Sequence, residues 1–356
     1  MLVTRGTLDD PASVEAVDRS GMLAVVAGLG RQLRTGFRLG RDVEGLPAGS
    51  EITGIVVCGM GGSGIAADVA RSLLGTSSRV PVTSCKGYAL PAASDSGTLV
   101  LAVSFSGNTE ETLAVFDEAA ARGCAVVSVG SGGALAERAA AGGRPHVPIP
   151  SDVEVPRAAL GYLAGAVLGI VEATAVAPPI VSDLDRAAAL ADDLAARLGP
   201  GCPLSENESK DLALWLAGRT PVTWGSEGVA EAAALRWKNQ FNENAKVPAF
   251  CSVLPELDHN EVEGWGPGTG IAFGLIVLRH GNEHPRIGPR VEASLDVVRE
   301  SGLSIRQVWA EGTTPAEGLF SLMAKADFAS VYLAVLRGVD PTPVPVLMGL
   351  KERLRP

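Results

Sequence analysis

Ser104-Phe105-Ser106-Gly107-Asn108-Thr109 sets three hydroxyls and one conformationally free glycine within six residues, and Glu110-Glu111-Thr112 then opens a helix. Hydroxyl donors beside free backbone N–H groups at a helix N-terminus hold a phosphate without any Arg or Lys. Taken alone, such residues are ordinary turn and cap residues. A second loop changes the balance: Gly59-Met60-Gly61-Gly62-Ser63-Gly64 stands between an apolar run and a helix and adds the hydroxyl of Ser63. Two such loops in one βαβ unit point to a phosphate ester as ligand. The glycine loop also fits the dinucleotide fingerprint G-x-G-x-x-G, which wants an acidic residue at the end of the next strand to hold a ribose hydroxyl. Here that strand ends in Ser84-Cys85-Lys86. Lys86 suits a 2′-phosphate instead, which leaves an NADP-dependent reductase as a rival reading.

Strand candidates at 52–57, 80–84, 98–105 and 125–129 frame these loops, with helices at 65–74 and 110–122 between them. That alternation predicts βαβ units and a parallel sheet. A helical connection over 183–198 follows, bounded by Pro178-Pro179 and Gly199-Pro200, and then the pattern recurs. Strand 220–224 runs into Gly225-Ser226-Glu227-Gly228 and helix 229–241, followed by strands 270–278 and 304–309 and helices 290–301 and 319–336. The expected fold class is α/β: two tandem doubly wound parallel-sheet domains with a helical N-terminal preamble and a C-terminal tail helix. The expected divisions are a preamble 1–45, a first, phosphate-binding domain 46–177, a helical linker 178–203, a second domain 204–340 and a tail 341–356. In such sheets ligands bind at the carboxyl ends of the strands.

The 356 residues suffice for about two domains. With 46% hydrophobic and 20% charged residues, a disordered or fibrous chain is excluded. Lys+Arg 30 against Asp+Glu 40 gives a net charge of −10, which argues against a nucleic-acid or anionic-membrane surface that works through bulk charge. An anionic ligand therefore needs a local, preformed site. Five cysteines (Cys58, Cys85, Cys124, Cys202, Cys251) are scattered with no C-x-x-C pair, which fits buried thiols in a reducing cytoplasm and no structural zinc. Residues 1–21 carry Asp9, Asp10, Glu15 and Asp18 and no apolar core, so no signal peptide is expected. The apolar stretch 158–181 is interrupted by Glu172 and ended by Pro178-Pro179, so it reads as a buried helix rather than a membrane span.

The motif pair Gly59–Gly64 and Ser104–Thr109 resembles the sugar isomerase (SIS) domain, whose usual ligand is a phosphosugar. Two further segments narrow the resemblance. Arg236-Trp237-Lys238-Asn239-Gln240-Phe241-Asn242-Glu243-Asn244-Ala245-Lys246 and Leu254-Pro255-Glu256-Leu257-Asp258-His259-Asn260-Glu261 are similar to segments of the bifunctional phosphoglucose/phosphomannose isomerase family. All four motifs stand in the family's order.

The resemblance implies that Ser63, Ser104, Ser106 and Thr109 hold the phosphate, with Gly61 and Gly62 in the loop that approaches it. It implies that Glu243 moves a proton between C2 and C1 of the sugar through a cis-enediol, general-base work that suits a carboxylate. It implies that Arg157 stabilises the enediolate. His259 would open the sugar ring from the other subunit of a homodimer. A lysine near the C-terminus would assist, with Lys351 the match by position and Lys325 the alternative. Without the resemblance, Asn242-Glu243-Asn244 reads as a polar helix end and His259 as a solvated loop histidine. No cofactor is implied, and no H-x-H or H-E-x-x-H pattern suggests a metal. The partners implied are a hexose 6-phosphate and a second copy of the chain, with neither nucleic acid nor membrane.

Besides the reductase, two rivals remain. One is a catalytically silent phosphosugar-binding regulator, which the joint presence of Glu243, His259 and Arg157 disfavours. The other is an isomerase of an amino sugar or another aldose phosphate. Preference between glucose and mannose epimers rests on a few contacts worth about 1–3 kcal/mol and is not legible from residue types.

Overall fold

The run Gly-Ile-Val-Val-Cys at Gly54–Cys58 (β1) and the run Thr-Leu-Val-Leu-Ala-Val at Thr98–Val103 (β3) are apolar on both faces, as strands covered from both sides must be. The computed structural model describes residues 5–265 and 272–354. It pairs these two strands as the centre of a five-stranded sheet that Val82–Cys85 (β2), Ala125–Gly130 (β4) and His146–Pro148 (β5) complete. The order is β2-β1-β3-β4-β5 and every pairing is parallel. Alternate residues serve opposite faces. Ile55, Val57, Leu99 and Leu101 enter a core with helices Gly61–Leu74 (α4) and Leu160–Ala173 (α7). Val56, Cys58, Val100 and Ala102 lie under Glu110–Ala121 (α5) and Gly133–Ala141 (α6).

The helical preamble expected at 1–45 is broken into short helices, and its apolar residues over 16–33 do not form one helix. A left-handed Gly21 (φ +69) precedes Met22–Ala27 (α2), itself preceded by the short Pro11–Glu15 (α1), and Gly28 separates α2 from Leu29–Arg41 (α3). The Asp18 carboxylate accepts from the N–H groups of Met22 and Leu23 at 2.7 and 2.9 Å, closing the start of α2. Helix α3 lies along α7.

Val181–Leu198 (α8) and Glu208–Leu216 (α9) lead to a second sheet of Thr220–Ser226 (β6), Phe250–Leu254 (β7), Phe273–Arg279 (β8) and Ser304–Trp309 (β9). Its order is β7-β6-β8-β9, again parallel throughout. The first residues of the strand expected at 270–278 lie outside the described residues. Val229–Glu243 (α10) and Pro315–Arg337 (α12) cover one face and Ile287–Glu300 (α11) the other, before Pro345–Arg353 (α13) ends the described chain. One continuous core joins α4 and α7 of the first sheet to α10 and α12 of the second. Helix α12 is long and apolar enough to cross a membrane, but 94% of its most apolar window is buried inside the protein, against α8, α9 and α10. It is a core helix.

The chain is thus α/β with two doubly wound parallel sheets. Among the described residues, the α-helices and β-strands without a counterpart among the expected ones are α6, β5, α9 and β7, and the short 3-10 turns such as Pro156–Ala159 and Glu256–His259 were not expected either. The expected strand ends also shift. Pro81 has no N–H for the ladder and β2 begins after it, while β3 stops where the Gly107 N–H turns back to the Ser104 carbonyl at 3.1 Å.

Candidate functional site

Strands β1 and β3 are neighbours, but the chain leaves β1 toward β2 and leaves β3 toward β4, so the loops after them diverge and open a crevice. Those are the two loops rich in Gly, Ser and Thr. They are tied together, since the backbone N–H of Phe105 donates to Ser63 Oγ at 3.0 Å. Within the second loop the Ser104 and Thr109 hydroxyls lie 2.9 Å apart, and Asn108 bonds the Ser106 carbonyl and the Ala134 N–H at 3.0 and 3.1 Å. Gly107 has φ +68, and a Cβ on it would stand 1.8 Å from the Gly132 carbonyl, so only glycine fits there. Neither α4 nor α5 has a side-chain cap, which leaves first-turn N–H groups pointing at the crevice. All six residues expected at the phosphate lie here: Gly61, Gly62, Ser63, Ser104, Ser106 and Thr109. Ser63 and Ser104 are buried and Ser106 is exposed.

Arg157 links this crevice to the second sheet. It stands in a 3-10 turn, Pro156–Ala159, whose backbone presses against Gly62. A guanidinium has five N–H groups in a fixed fork. Here Nε donates to Asn244 Oδ1 at 2.7 Å, Nη2 to the carbonyls of Pro341 and Thr342 at 2.7 and 2.9 Å, and Nη1 to Glu243 Oε2 at 3.4 Å. Four donors are committed and one Nη1 hydrogen is left. The side chain is only 2% exposed, and burial lowers its pKa. The Glu243 carboxylate opposes that shift, the neighbouring Arg236 adds to it, and Asp327 opposes it.

The other partners come from one stripe of α10. Arg236, Gln240 and Asn244 recur every fourth residue, so they share a helix face, and all three are buried. Arg236 forms a bidentate pair with Asp327 of α12 at 3.0 and 2.8 Å and also donates to the Arg157 carbonyl at 2.9 Å. Gln240 donates to Asp327 at 2.8 Å, and Asn244 Nδ2 to Ser330 at 3.0 Å. Burial pushes the Asp327 carboxyl upward, against the pull of Arg236. The Glu243 side chain, by contrast, is 23% exposed. It faces a cavity of about 450 Å³ walled by Val247, Pro248 and residues 344–347, with Asn242 and Lys246 beside it. That volume lies within the range of small-molecule sites.

Over 205–354 the chain matches the family model described as the bacterial phospho-glucose isomerase C-terminal SIS domain, and over 51–142 the SIS domain model. It is 33% identical to a bifunctional phosphoglucose/phosphomannose isomerase of Caldicellulosiruptor bescii over 94% of this chain and 98% of that one. The chain belongs to the bifunctional phosphoglucose/phosphomannose isomerase family. Membership does not fix one activity, because a D-glucosamine-6-phosphate 4-epimerase of Sulfolobus acidocaldarius is 32% identical over 88% of this chain and 92% of that one. A glucose-6-phosphate isomerase like protein from Thermus thermophilus shares the fold at 20% identity, with a TM-score of 0.64 over 98% of both chains.

The remaining residues that family resemblance singles out are not gathered at Glu243. His259 ends a 3-10 turn, Glu256–His259, after β7 and is exposed. The turn is anchored next door, where Asp258 accepts from Ser294 at 2.6 Å and from Arg290 at 3.2 Å, so the imidazole is held outward from its own chain. Lys351 is exposed on α13, one turn beyond the cavity-lining Leu347. The alternative, Lys325, is bonded elsewhere. Its amine is buried in α12, paired with Glu208 and Glu311 at 2.9 and 3.0 Å and bonded to the Trp309 carbonyl, and has no contact with Glu243 or Arg157. Lys86 is likewise occupied, by the buried Asp68. Among the described residues no three His, Cys, Asp or Glu side chains are grouped as a metal site needs.

Motif reading includes Asn244 and Lys246 in the 236–246 segment without giving either a role, and the Pro341–Thr342 carbonyls lie outside every motif. The spacing of Arg236, Gln240 and Asn244 was a usable signal: a polar stripe at helical period on a helix otherwise rich in Ala must find buried partners.

Proposed function

We propose that the chain is an aldose–ketose isomerase that interconverts glucose 6-phosphate and mannose 6-phosphate with fructose 6-phosphate, without a metal. The phosphate rests on the hydroxyls of Ser63, Ser104, Ser106 and Thr109 and on the N-terminal ends of α4 and α5. Glu243 takes the proton from C2 while the C1 carbonyl oxygen gains one, giving a cis-enediol. The same carboxyl returns its proton to C1 as the C2 hydroxyl loses its own. The uncommitted N–H of Arg157 stabilises the negative charge that develops on the sugar oxygen during each of these steps. Either C2 epimer presents its C2–H to one base after rotation about C2–C3.

Ring opening falls to His259 of a second copy, with Lys351 assisting, in a cytoplasmic homodimer. We assign phosphate binding to residues 46–177 and the base and histidine to 204–340, joined by 178–203. The observation that carries the proposal is the Arg157–Glu243 contact, a buried, fully oriented cation against a partly exposed carboxylate at the mouth of a cavity. An amino-sugar phosphate is the second reading, favoured by the epimerase relative.

A coupled assay for fructose 6-phosphate formation from each hexose phosphate, with and without chelator, tests this on wild type and Glu243→Gln. Glucosamine 6-phosphate is run in parallel, with products resolved by NMR. Chelator-insensitive turnover of both epimers that the Gln variant loses is expected. Turnover of glucosamine 6-phosphate alone would move the assignment to the second reading. A monomer in sedimentation analysis would remove the shared-histidine role.

A further inference from the structure

Lys246 is the first residue past the turn that ends α10, and its backbone sits at φ +55, a region that favours glycine. A lysine in that backbone conformation directs attention to its side chain. Its amine donates to the carbonyl of Glu243 and, at 2.9 Å, to the carbonyl of Pro341. The Arg157 guanidinium donates to that same Pro341 oxygen at 2.7 Å. Two cations therefore converge on one carbonyl at the point where the chain leaves α12 and starts toward α13. Burial and the nearby Arg157 lower the Lys246 pKa to about 8, so the contact is held against an electrostatic cost.

The rest of the tail has little other hold. Helix α13 buries no residue, and Val346, Leu350 and Leu354 are more than half exposed. Thr342 at its root is buried and bonded to Arg157, and residues 344–347 wall the cavity that Glu243 faces. Where the root sits decides where that wall and Lys351 sit.

We propose that Lys246 is a positioning residue that fastens the C-terminal segment, from Pro341 onward, to the helix end carrying Glu243, and so sets one wall of the cavity. Its catalytic consequence rests on the isomerase reading above, but the fastening itself does not.

The test compares full-length wild type with Lys246→Met, which keeps the stem and removes the donors, and with Lys246→Arg, which keeps donors. Amide hydrogen exchange is followed over residues 341–348, with β1 and α4 as internal controls for folding. In Lys246→Met, exchange at 341–348 rises about ten-fold or more while the controls hold, kcat with fructose 6-phosphate falls at least ten-fold, and KM moves less than three-fold. Lys246→Arg restores most of both. Unchanged exchange at 341–348 overturns the fastening. Faster exchange with wild-type kcat overturns its catalytic consequence. If wild type itself turns over no hexose phosphate, the isomerase reading fails, and the exchange comparison still decides the fastening.

Discussion

Gly62 has no room for a side chain because the backbone of Arg157 lies against it: a Cβ there would stand 2.6 Å from the Arg157 nitrogen and 2.8 Å from its Cα. The contact joins the loop that would hold a phosphate to the residue whose guanidinium holds Glu243, so the two halves of the proposed chemistry move as one piece. Neither backbone can yield cheaply.

Gly62→Ala is therefore expected to separate the two halves. Overpacking at such a contact costs about 1–3 kcal/mol, and it falls on the Arg157 turn. Gly54, at the start of β1 and outside the site, makes the control, since nothing lies within 4 Å of a Cβ placed on it. In steady-state kinetics Gly62→Ala loses kcat and raises KM together, while Gly54→Ala stays close to wild type. Wild-type kinetics of Gly62→Ala would mean that the contact with Arg157 does not govern activity.

Arg157→Lys keeps a positive charge and forfeits the fork. An ammonium cannot reach Asn244, Glu243 and two carbonyls at once, so acceptors that are now satisfied are left bare. A fall in kcat of about 10²–10³ is expected, as for loss of a preorganised donor to a developing oxyanion, measured in the coupled assay. If charge alone sufficed, the Lys variant would remain within a few-fold of wild type.

How much of this was legible in the residues depends on the range of the interaction. The central strands β1 and β3 are continuous apolar runs followed by loop residues with distinctive turn chemistry, so both could be placed from local pattern. Edge strand β7 is half-exposed along most of its length and carries no strong period, and β5 has three residues. The hydroxyl loops were visible because each is a short contiguous motif. The Arg157–Asn244 and Lys246–Pro341 bonds were not, because they join residues 87 and 95 positions apart and exist only once both sheets are packed.

The Arg236–Asp327 pair is buried at both ends, with side chains 2% and 4% exposed, and it also carries the Arg157 carbonyl. Asp327→Ala would strand a buried guanidinium, for which a loss of about 3–5 kcal/mol is expected in urea unfolding. Asp327→Asn keeps one acceptor oxygen and should lose less. If both variants unfold at the wild-type midpoint, solvent reaches Arg236 and the stripe along α10 is not the anchor described here.

Two histidines give the protein an acid limit. His280 is 5% exposed, with Nε2 3.2 Å from Ser226 Oγ and Nδ1 buried without a partner among the described residues, and His146 Nδ1 lies 2.8 Å from Ser128 Oγ. Burial lowers both pKa values. At His280 Glu283 opposes the shift and Arg279 adds to it, and at His146 the Gly130 backbone opposes it. Below the ordinary histidine value of about 6.5 the unfolded chain therefore binds protons that the folded chain refuses. Stability is then lost as pH falls from about 6.5, at no more than about 1.4 kcal/mol per pH unit for each histidine, and neither contributes a slope above that range. The carboxyls of Asp18, Asp68 and Asp327, raised chiefly by burial, act with the opposite sign, so the wild-type curve alone does not isolate the imidazoles. Urea midpoints at pH 7 and pH 5 on wild type and His280→Gln do. The variant should lose less between the two pH values, and an identical loss would show that His280 takes up its proton in the folded state as readily as in the unfolded one.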